Sequence, residues 1–268
     1  MSYLDTDSLA IKMNRLQRWL DINKGNSTAV THYFDRAFAS VTVDPASTSP
    51  AASMNRNAMR LCGGRGLSAT ELDEMAQLFD AQAVERFFVW LNPGPGSEVV
   101  REWLNARDAI KVRWTQYPTM VHTGRITVQS STMLEIRRVT RDDIESGKVT
   151  LIEDAAMDGF MQFIGRPGFS HFAAFEGDRP IATAVLVQLE DLAYLSHART
   201  AEPFRGRGAQ TALIAARIAE AHRLGCTLIV SQTLTMLKGS YANLSRAGFD
   251  VAYETEVYEC VRSSASSI

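Results

Sequence analysis

At 268 residues the chain has room for one large or two ordinary domains, which run about 100–200 residues each. A 46% hydrophobic and 22% charged composition fits a folded globular protein and excludes wholesale disorder or a fibrous repeat. Lysine plus arginine number 28 against 30 acids, a net charge of −2. No basic block is dense enough to follow a phosphate backbone, so nucleic acid is not an expected partner. The cysteines Cys62, Cys226 and Cys260 are odd in number and lack a Cys-x-x-Cys pair, which favours reduced thiols and leaves a metal site unsupported. With no leader-like segment and no apolar run long enough to span a bilayer, we read the chain as cytoplasmic, without membrane contact.

In chain order, helical spacing of Leu9, Met13, Leu16 and Leu20 predicts a helix from Asp7 to about Asn23. Tyr33, Phe34, Ala37 and Phe38 extend the pattern to a second helix over Thr28 to Val41. The Ser/Pro/Ala-rich stretch Asp44 to Ser53 reads as a surface loop. A strand over Asn57 to Cys62 stops at Gly63-Gly64-Arg65-Gly66, and Ser68-x-x-Glu71 is a capping box opening a helix. A strand at Arg86 to Leu91, a helix at Glu98 to Ala106 and a strand from about Ile110 to Thr115 complete an α/β unit.

Residues Thr127 to Ser131 form the expected linker, which divides the chain into domains at 1–126 and 132–268. The second block opens with a strand at Leu134 to Val139, a helix start at Thr140 to Asp143 and a helix over about Leu151 to Ile164. A three-strand meander follows: Phe169 to Glu176, Ile181 to Leu189 and Leu192 to Thr200, the first pair joined by a Gly177-Asp178-Arg179-Pro180 turn. After the loop Ala201 to Gly208 come an Ala-rich helix stopped by Gly225 and a strand at Thr227 to Gln232. A short helix near Ser240 to Arg246 and a last strand from Phe249 to Val261 close the block.

Chemistry concentrates in the segment running from Leu195 to Thr211 as strand, basic glycine loop and helix start. A helix N-terminus leaves backbone N–H groups unpaired, and glycines let an anion approach them closely. Read alone, Arg205-Gly206-Arg207-Gly208 fits either such a phosphate site or a solvated basic turn. It is not a Walker A loop, and Gly206-x-Gly208-x-x-Thr211 lacks the third glycine of the dinucleotide fingerprint.

Arg205-Gly206-Arg207-Gly208-Ala209-Gln210 resembles the Arg/Gln-x-x-Gly-x-Gly/Ala motif of the GCN5-related N-acetyltransferase (GNAT) family, departing at Gln210. A later segment, Gly239-Ser240-Tyr-Ala-Asn243-Leu-Ser-Arg-Ala-Gly248-Phe249, resembles a second family motif, and the resemblance covers about Leu134 to Glu259. It implies an α/β fold with the mixed central sheet of the acyl-CoA N-acyltransferases. It also implies acetyl-CoA as cosubstrate and a small-molecule or peptide amine as acceptor. The backbone of Ala198, Arg199 and Thr200 would pair with the pantetheine arm, and Gly206, Arg207, Gly208, Ala209, Gln210 and Thr211 would hold the pyrophosphate beside Arg205. Ser240 and Asn243 would face the same arm.

The positions where family members place a glutamate base and a tyrosine acid carry Tyr194 and Leu244 here. Period-2 alternation puts Tyr194, Ser196, Ala198 and Thr200 on one side and His197 and Arg199 on the other. Tyr194 is the candidate catalytic residue; His197 fits either a hydrogen-bonded packing role or a relay. Asn55 to Trp114 resembles, more weakly, the degenerate GNAT-like half that precedes the active one in tandem members, with no second cofactor motif. The alternative to an enzyme is a non-catalytic acyl-CoA-binding or regulatory module that has lost its acid and base.

Overall fold

The computed structural model describes residues 5–23, 29–34, 37–42, 57–62, 67–113, 116–124, 134–149 and 160–261. They divide into two compact units: residues up to Tyr117 together with those from Tyr253, and Pro118–Ala252. The expected linker at 127–131, the loop at 44–53 and the glycine run at 63–66 lie outside the described residues. Among the described residues no helix is long and apolar enough to cross a membrane.

The first unit contains α1 (Thr6–Asn23), β1 (Ala29–Phe34), β2 (Ala37–Thr42), β3 (Ala58–Cys62), α2 (Ala69–Ala81), β4 (Arg86–Asn92), α3 (Ser97–Asn105) and β5 (Ile110–Lys111). The second contains most of β6 (Tyr117–His122), then β7 (Glu135–Val139), α4 (Arg141–Glu145), β8 (Phe169–Glu176), β9 (Arg179–Leu189) and β10 (Leu192–Thr200). It continues with α5 (Ala209–Arg223), β11 (Leu228–Gln232) and α6 (Lys238–Arg246). The last strand, β12 (Phe249–Val261), starts in the second unit and ends in the first.

The first unit's sheet runs β1-β2-β3-β4-β12, with only the β3–β4 pair parallel and α2 as its crossover. The expected second helix over Thr28 to Val41 is instead the hairpin β1–β2, registered Phe34 to Ala37 through Ala29 to Thr42. Ala37, Ala39 and Val41 are all buried, an alternation that satisfies a strand and spoils a helical stripe. The aromatic and β-branched residues of this stretch also favour extended backbone. Of the strand expected at Ile110 to Thr115, Ile110–Lys111 is formed, Val112 and Arg113 are irregular and 114–115 lie outside the described residues; Tyr117–His122 is a strand not anticipated.

Leu72, Met75 and Phe79 of α2 and Val100, Trp103 and Leu104 of α3 cover Met59, Leu61, Val89 and Leu91 of the sheet. Ser68 caps α2 reciprocally with Glu71, so two of the orphan N–H groups at this helix start are satisfied. α1 buries Leu9, Met13, Leu16 and Leu20, and its Asn14 amide donates to the Arg60 carbonyl at 3.3 Å.

The second unit's sheet runs from the start of β12 through β6, β11, β10, β9 and β8 to β7. β10 and β11 pair in parallel, while β7 to β10 form an antiparallel meander and β6 lies antiparallel to β11. Helix α5 lays Ala209, Leu213, Ile214, Ile218 and Ala221 against Ala184, Leu186, Ala193, Leu195 and Ile229. It ends as expected, with Gly225 in the left-handed region at φ +76° just after the last turn. Of the helix expected over Leu151 to Ile164, residues 151–159 lie outside the described set; Phe160 and Met161 are helical and 162–165 form turns.

A half-buried ion cluster fixes the end of β12 within the first unit. The Glu256 carboxylate accepts from Arg101 Nη2 at 2.8 Å, Lys111 Nζ at 3.0 Å and the Tyr258 hydroxyl at 2.5 Å. Burial alone would raise the Glu256 pKa, but these donors outweigh it and hold the group at about 2. A carboxylate whose folded pKa lies below its unfolded value stabilises the fold above the unfolded pKa, and that stability is lost as pH falls through the folded one. The wild-type melting temperature should therefore drop as pH falls from 4.5 to about 2. Glu256→Gln should flatten that part of the profile, as read by circular dichroism; equal slopes in the two proteins would refute the assignment.

Candidate functional site

The site grows from the point where β10 and β11 part. Their parallel pairing covers only Leu192–Leu195 against Leu228–Ser231, although β10 continues to Thr200. At the last shared position the Ser231 hydroxyl donates to the Leu195 carbonyl at 3.0 Å, a side chain standing where the next ladder bond would be. On its other edge β10 pairs with β9 up to Ser196–Val185, and pairing resumes at Arg199–Thr183. The irregularity between them is a bulge, and His197 sits in it with φ +45°. The bulge also interrupts the simple alternation expected for Tyr194 to Thr200, because an inserted residue turns the side chains that follow it.

The chain leaves the end of β10 through a short loop that leads into the N-terminus of α5. Its cap is Gly208 at φ +82° with no side-chain hydrogen bond, so the first N–H groups of the helix have neither a side-chain cap nor an intrahelical acceptor. Gly206 also lies at positive φ, +79°. Arg205 pairs with Glu202 at 3.7 Å. Arg207 pairs with Glu176 at 2.8 Å and lies over the Phe204 ring. Both arginines are exposed, so these pairs contribute little and can be given up to an incoming anion.

The remaining candidates occupy the same unit. Ala198 and Arg199 are exposed at the end of β10, and the Thr200 hydroxyl is buried without a hydrogen-bond partner. The Gln210 Oε1 in the first turn of α5 is likewise buried and unpartnered. Ala209 is buried and Thr211 half-buried. In α6 the Ser240 hydroxyl accepts from Thr233 at 3.1 Å, and Asn243 accepts from Arg246. Leu244, at the position of the usual acid, is a core residue packed with α5.

Tyr194 is buried, 7% exposed, and its hydroxyl donates to Gln232 Oε1 at 3.4 Å. Gln232 Nε2 in turn donates to Thr119 Oγ1 at 2.9 Å, so a hydrogen-bonded chain runs across β10, β11 and β6. His197 Nδ1 is 2.7 Å from the Ser196 hydroxyl, and its ring meets Phe163 edge-on. Beside them, His171 hydrogen-bonds the Phe160 carbonyl at 2.9 Å. Burial pulls the His171 pKa down to about 4. It is therefore neutral near pH 7, with the proton on Nε2 to meet that carbonyl.

Gln232, Thr119 and Ser231 were not among the residues expected here, since polar residues at a strand end give no distinctive pattern. Arg217 was also missed, though one signal was available. It falls on the apolar stripe of α5 between Leu213, Ile214 and Ile218, where a cation is out of place.

A Cβ built on Gly206 meets nothing within 4 Å. An alanine there is strained by its backbone alone, at roughly 1 kcal/mol. Gly206→Ala should lower the unfolding free energy by about that amount in urea titrations; an unchanged value would mean that the loop is not held at positive φ.

Residues 136–249 match the Acetyltransferase (GNAT) family. No curated protein matches the sequence. Among solved structures, a GCN5-related N-acetyltransferase from Kribbella flavida is similar over 95% of this chain and 95% of that one, with a TM-score of 0.63 and 12% identity. A tandem GNAT protein from the clavulanic acid biosynthesis pathway is similar over 88% of this chain and 84% of that one (TM-score 0.60, 10% identity). A GNAT-family acetyltransferase from Colwellia psychrerythraea is similar over 95% and 97%, respectively (TM-score 0.55, 12% identity). At these identities the likeness is one of fold. Parted parallel strands, an uncapped helix start behind a glycine loop and the match over residues 136–249 together identify this chain as carrying the GNAT acetyltransferase fold.

Proposed function

We propose that this protein transfers an acetyl group from acetyl-CoA to an amine of a small molecule or peptide. The observation that carries the reading is the parting of β10 from β11 beside the uncapped start of α5. The orphaned Thr200 hydroxyl and Gln210 carbonyl fit the amide-bearing pantetheine arm, to which the first can donate and accept and the second can accept. In this reading Ala198, Arg199 and Thr200 hold that arm through their backbone, with Ser240 and Asn243 facing it. The N–H groups from Gly206 to Thr211 hold the pyrophosphate, and Arg205 and Arg207 exchange their carboxylate partners for it.

When bound, acetyl-CoA supplies an activated thioester whose carbonyl carbon an amine can attack. In this reading backbone N–H groups at the bulge of β10 would stabilise negative charge on the acyl oxygen. Holding the two reactants in the opening supplies a further acceleration that needs no dedicated acid. Tyr194 is the candidate proton donor to the departing thiolate, its hydroxyl oriented by Gln232.

Burial of Leu244 in the core favours a second reading, in which the chain binds an acyl-CoA without turnover. The N-terminal unit is read as a degenerate copy of the same plan. Support comes from its pairing pattern: β1 to β4 and the end of β12 follow the sequence antiparallel, antiparallel, parallel, antiparallel. β8 to β11 and β6 follow the same one.

Isothermal titration with acetyl-CoA should show saturable binding that Arg205→Ala/Arg207→Ala weakens by tenfold or more, about 1.4 kcal/mol. No binding by the intact protein would overturn the proposal. Thiol release should then be measured with spermidine, kanamycin, free lysine and an alanine-initiated peptide as acceptors; binding without release would support the non-catalytic reading. If Tyr194 is the acid, Tyr194→Phe lowers kcat by about 10²-fold with binding unchanged. An unaltered kcat would remove it from the mechanism.

A further inference from the structure

Arg217 is the most unexpected side chain in the second unit. It lies in the middle of α5, is 2% exposed, and is among the largest fully buried side chains of the described residues. Every hydrogen bond it makes is to a main-chain carbonyl. Nε donates to Leu213 at 3.0 Å, one turn back on the same helix, and Nη1 donates to Val185 and to Ser196, each at 3.3 Å. Among the described residues no carboxylate partners it, and burial brings its pKa down to about 9, still well above neutrality, so it remains a cation.

A buried cation without a counter-ion is a heavy cost, and an apolar side chain of similar volume would pack α5 against the sheet more cheaply. What the guanidinium gains is specific. Val185 and Ser196 are the last residues paired between β9 and β10 before the bulge. Beyond this pair the ladder is interrupted, and a planar group with several N–H bonds can bridge both carbonyls of the last rung.

The carbonyl of Ser196 shares its peptide with the nitrogen of His197, and this peptide is trans. In a trans peptide the N–H points opposite to the C=O, so anchoring this carbonyl to α5 fixes the direction of the N–H at the bulge. A charged donor on the carbonyl also polarises the peptide and strengthens its N–H.

We propose that Arg217 is a positioning residue for acyl transfer: from the buried face of α5 it clamps the bulge of β10 and so sets the peptide groups that meet the acyl carbonyl. The proposal rests on the acetyltransferase reading above and adds to it the device that holds the bulge in place. It separates the two ends of α5's task, since its N-terminus meets the anionic part of the cosubstrate and its middle shapes the strand where the acyl group lies.

The test uses the full chain with Arg217→Met and Arg217→Lys. Arg217→Met should bind acetyl-CoA within about threefold of wild type while kcat falls by about 10²-fold, the effect expected of a misplacement near 1 Å. Amide hydrogen exchange should accelerate at His197 to Arg199 and stay unchanged along β8. Arg217→Lys retains the cation but cannot span both carbonyls in the same plane, and should recover part of both effects. Wild-type kcat and wild-type exchange in a folded Arg217→Met would overturn the proposal. So would a fall in kcat matched by an equal loss of acetyl-CoA binding, or a lower melting temperature with kcat intact. If Arg217→Met does not fold, a folded Arg217→Lys with wild-type kcat and exchange overturns it equally. A wild type without turnover would sink the acetyltransferase reading instead, and the exchange measurement would still decide whether Arg217 holds the bulge.

Discussion

A parallel pair of strands that stops sharing hydrogen bonds halfway along is the constraint on which the site depends. Buried backbone groups must find partners, so two strands part only where something else takes over their donors and acceptors. Here the substitutes are identifiable on each edge of β10. Ser231 donates to the Leu195 carbonyl at the parting itself, and on the far edge of β10 Arg217 donates to Val185 and Ser196 at the last rung before the bulge. The opening is thus supported from behind by side chains of the same sheet and of α5.

Helix α5 links this opening to the charge distribution. Because Gly208 provides no side-chain cap, the positive end of the helix faces outward with its N–H groups unsatisfied, and Arg205 and Arg207 enlarge the positive region. Glu202 and Glu176 occupy the arginines through exposed contacts. Such pairs are worth about 0–1 kcal/mol and are screened by salt. A pyrophosphate that engages both the helix start and the guanidinium groups makes more charge-assisted bonds than the carboxylates it displaces. The weakness of the resting pairs is therefore compatible with tight anion binding.

Much of this was legible in the sequence wherever local chemistry and tertiary context agree. Ser68 and Glu71 form the capping box their spacing announces, Gly177-Asp178 turns the hairpin, and the run from Leu192 to Gln232 folds as strand, loop, helix and strand. The failures share one physical origin, which is non-local pairing. Residues 29–42 carry apolar spacing compatible with a helix, but the hairpin and the pairing of β2 with β3 decide the matter. Tyr117–His122 has no strong pattern of its own and becomes a strand beside β11, more than a hundred residues later. Alternation along β10 could not foresee the bulge, because a bulge is a property of two strands and not of one.

Arg217 and Glu256 show how differently a half-hidden and a fully hidden charge are used. Glu256 keeps partial access to water and is surrounded by Arg101, Lys111 and Tyr258, so its charge is matched where it sits and serves to hold β12. Arg217 has no opposite charge beside it and is matched only by carbonyl dipoles. A network of the first kind tolerates rearrangement, since several donors share one acceptor. The second kind does not, because each carbonyl has a fixed direction and a planar guanidinium can meet them in few ways. Burying the cation in α5 thus exchanges stability for a single geometry of the bulge, and that exchange is worthwhile only where the placement of a peptide group matters more than the packing around it.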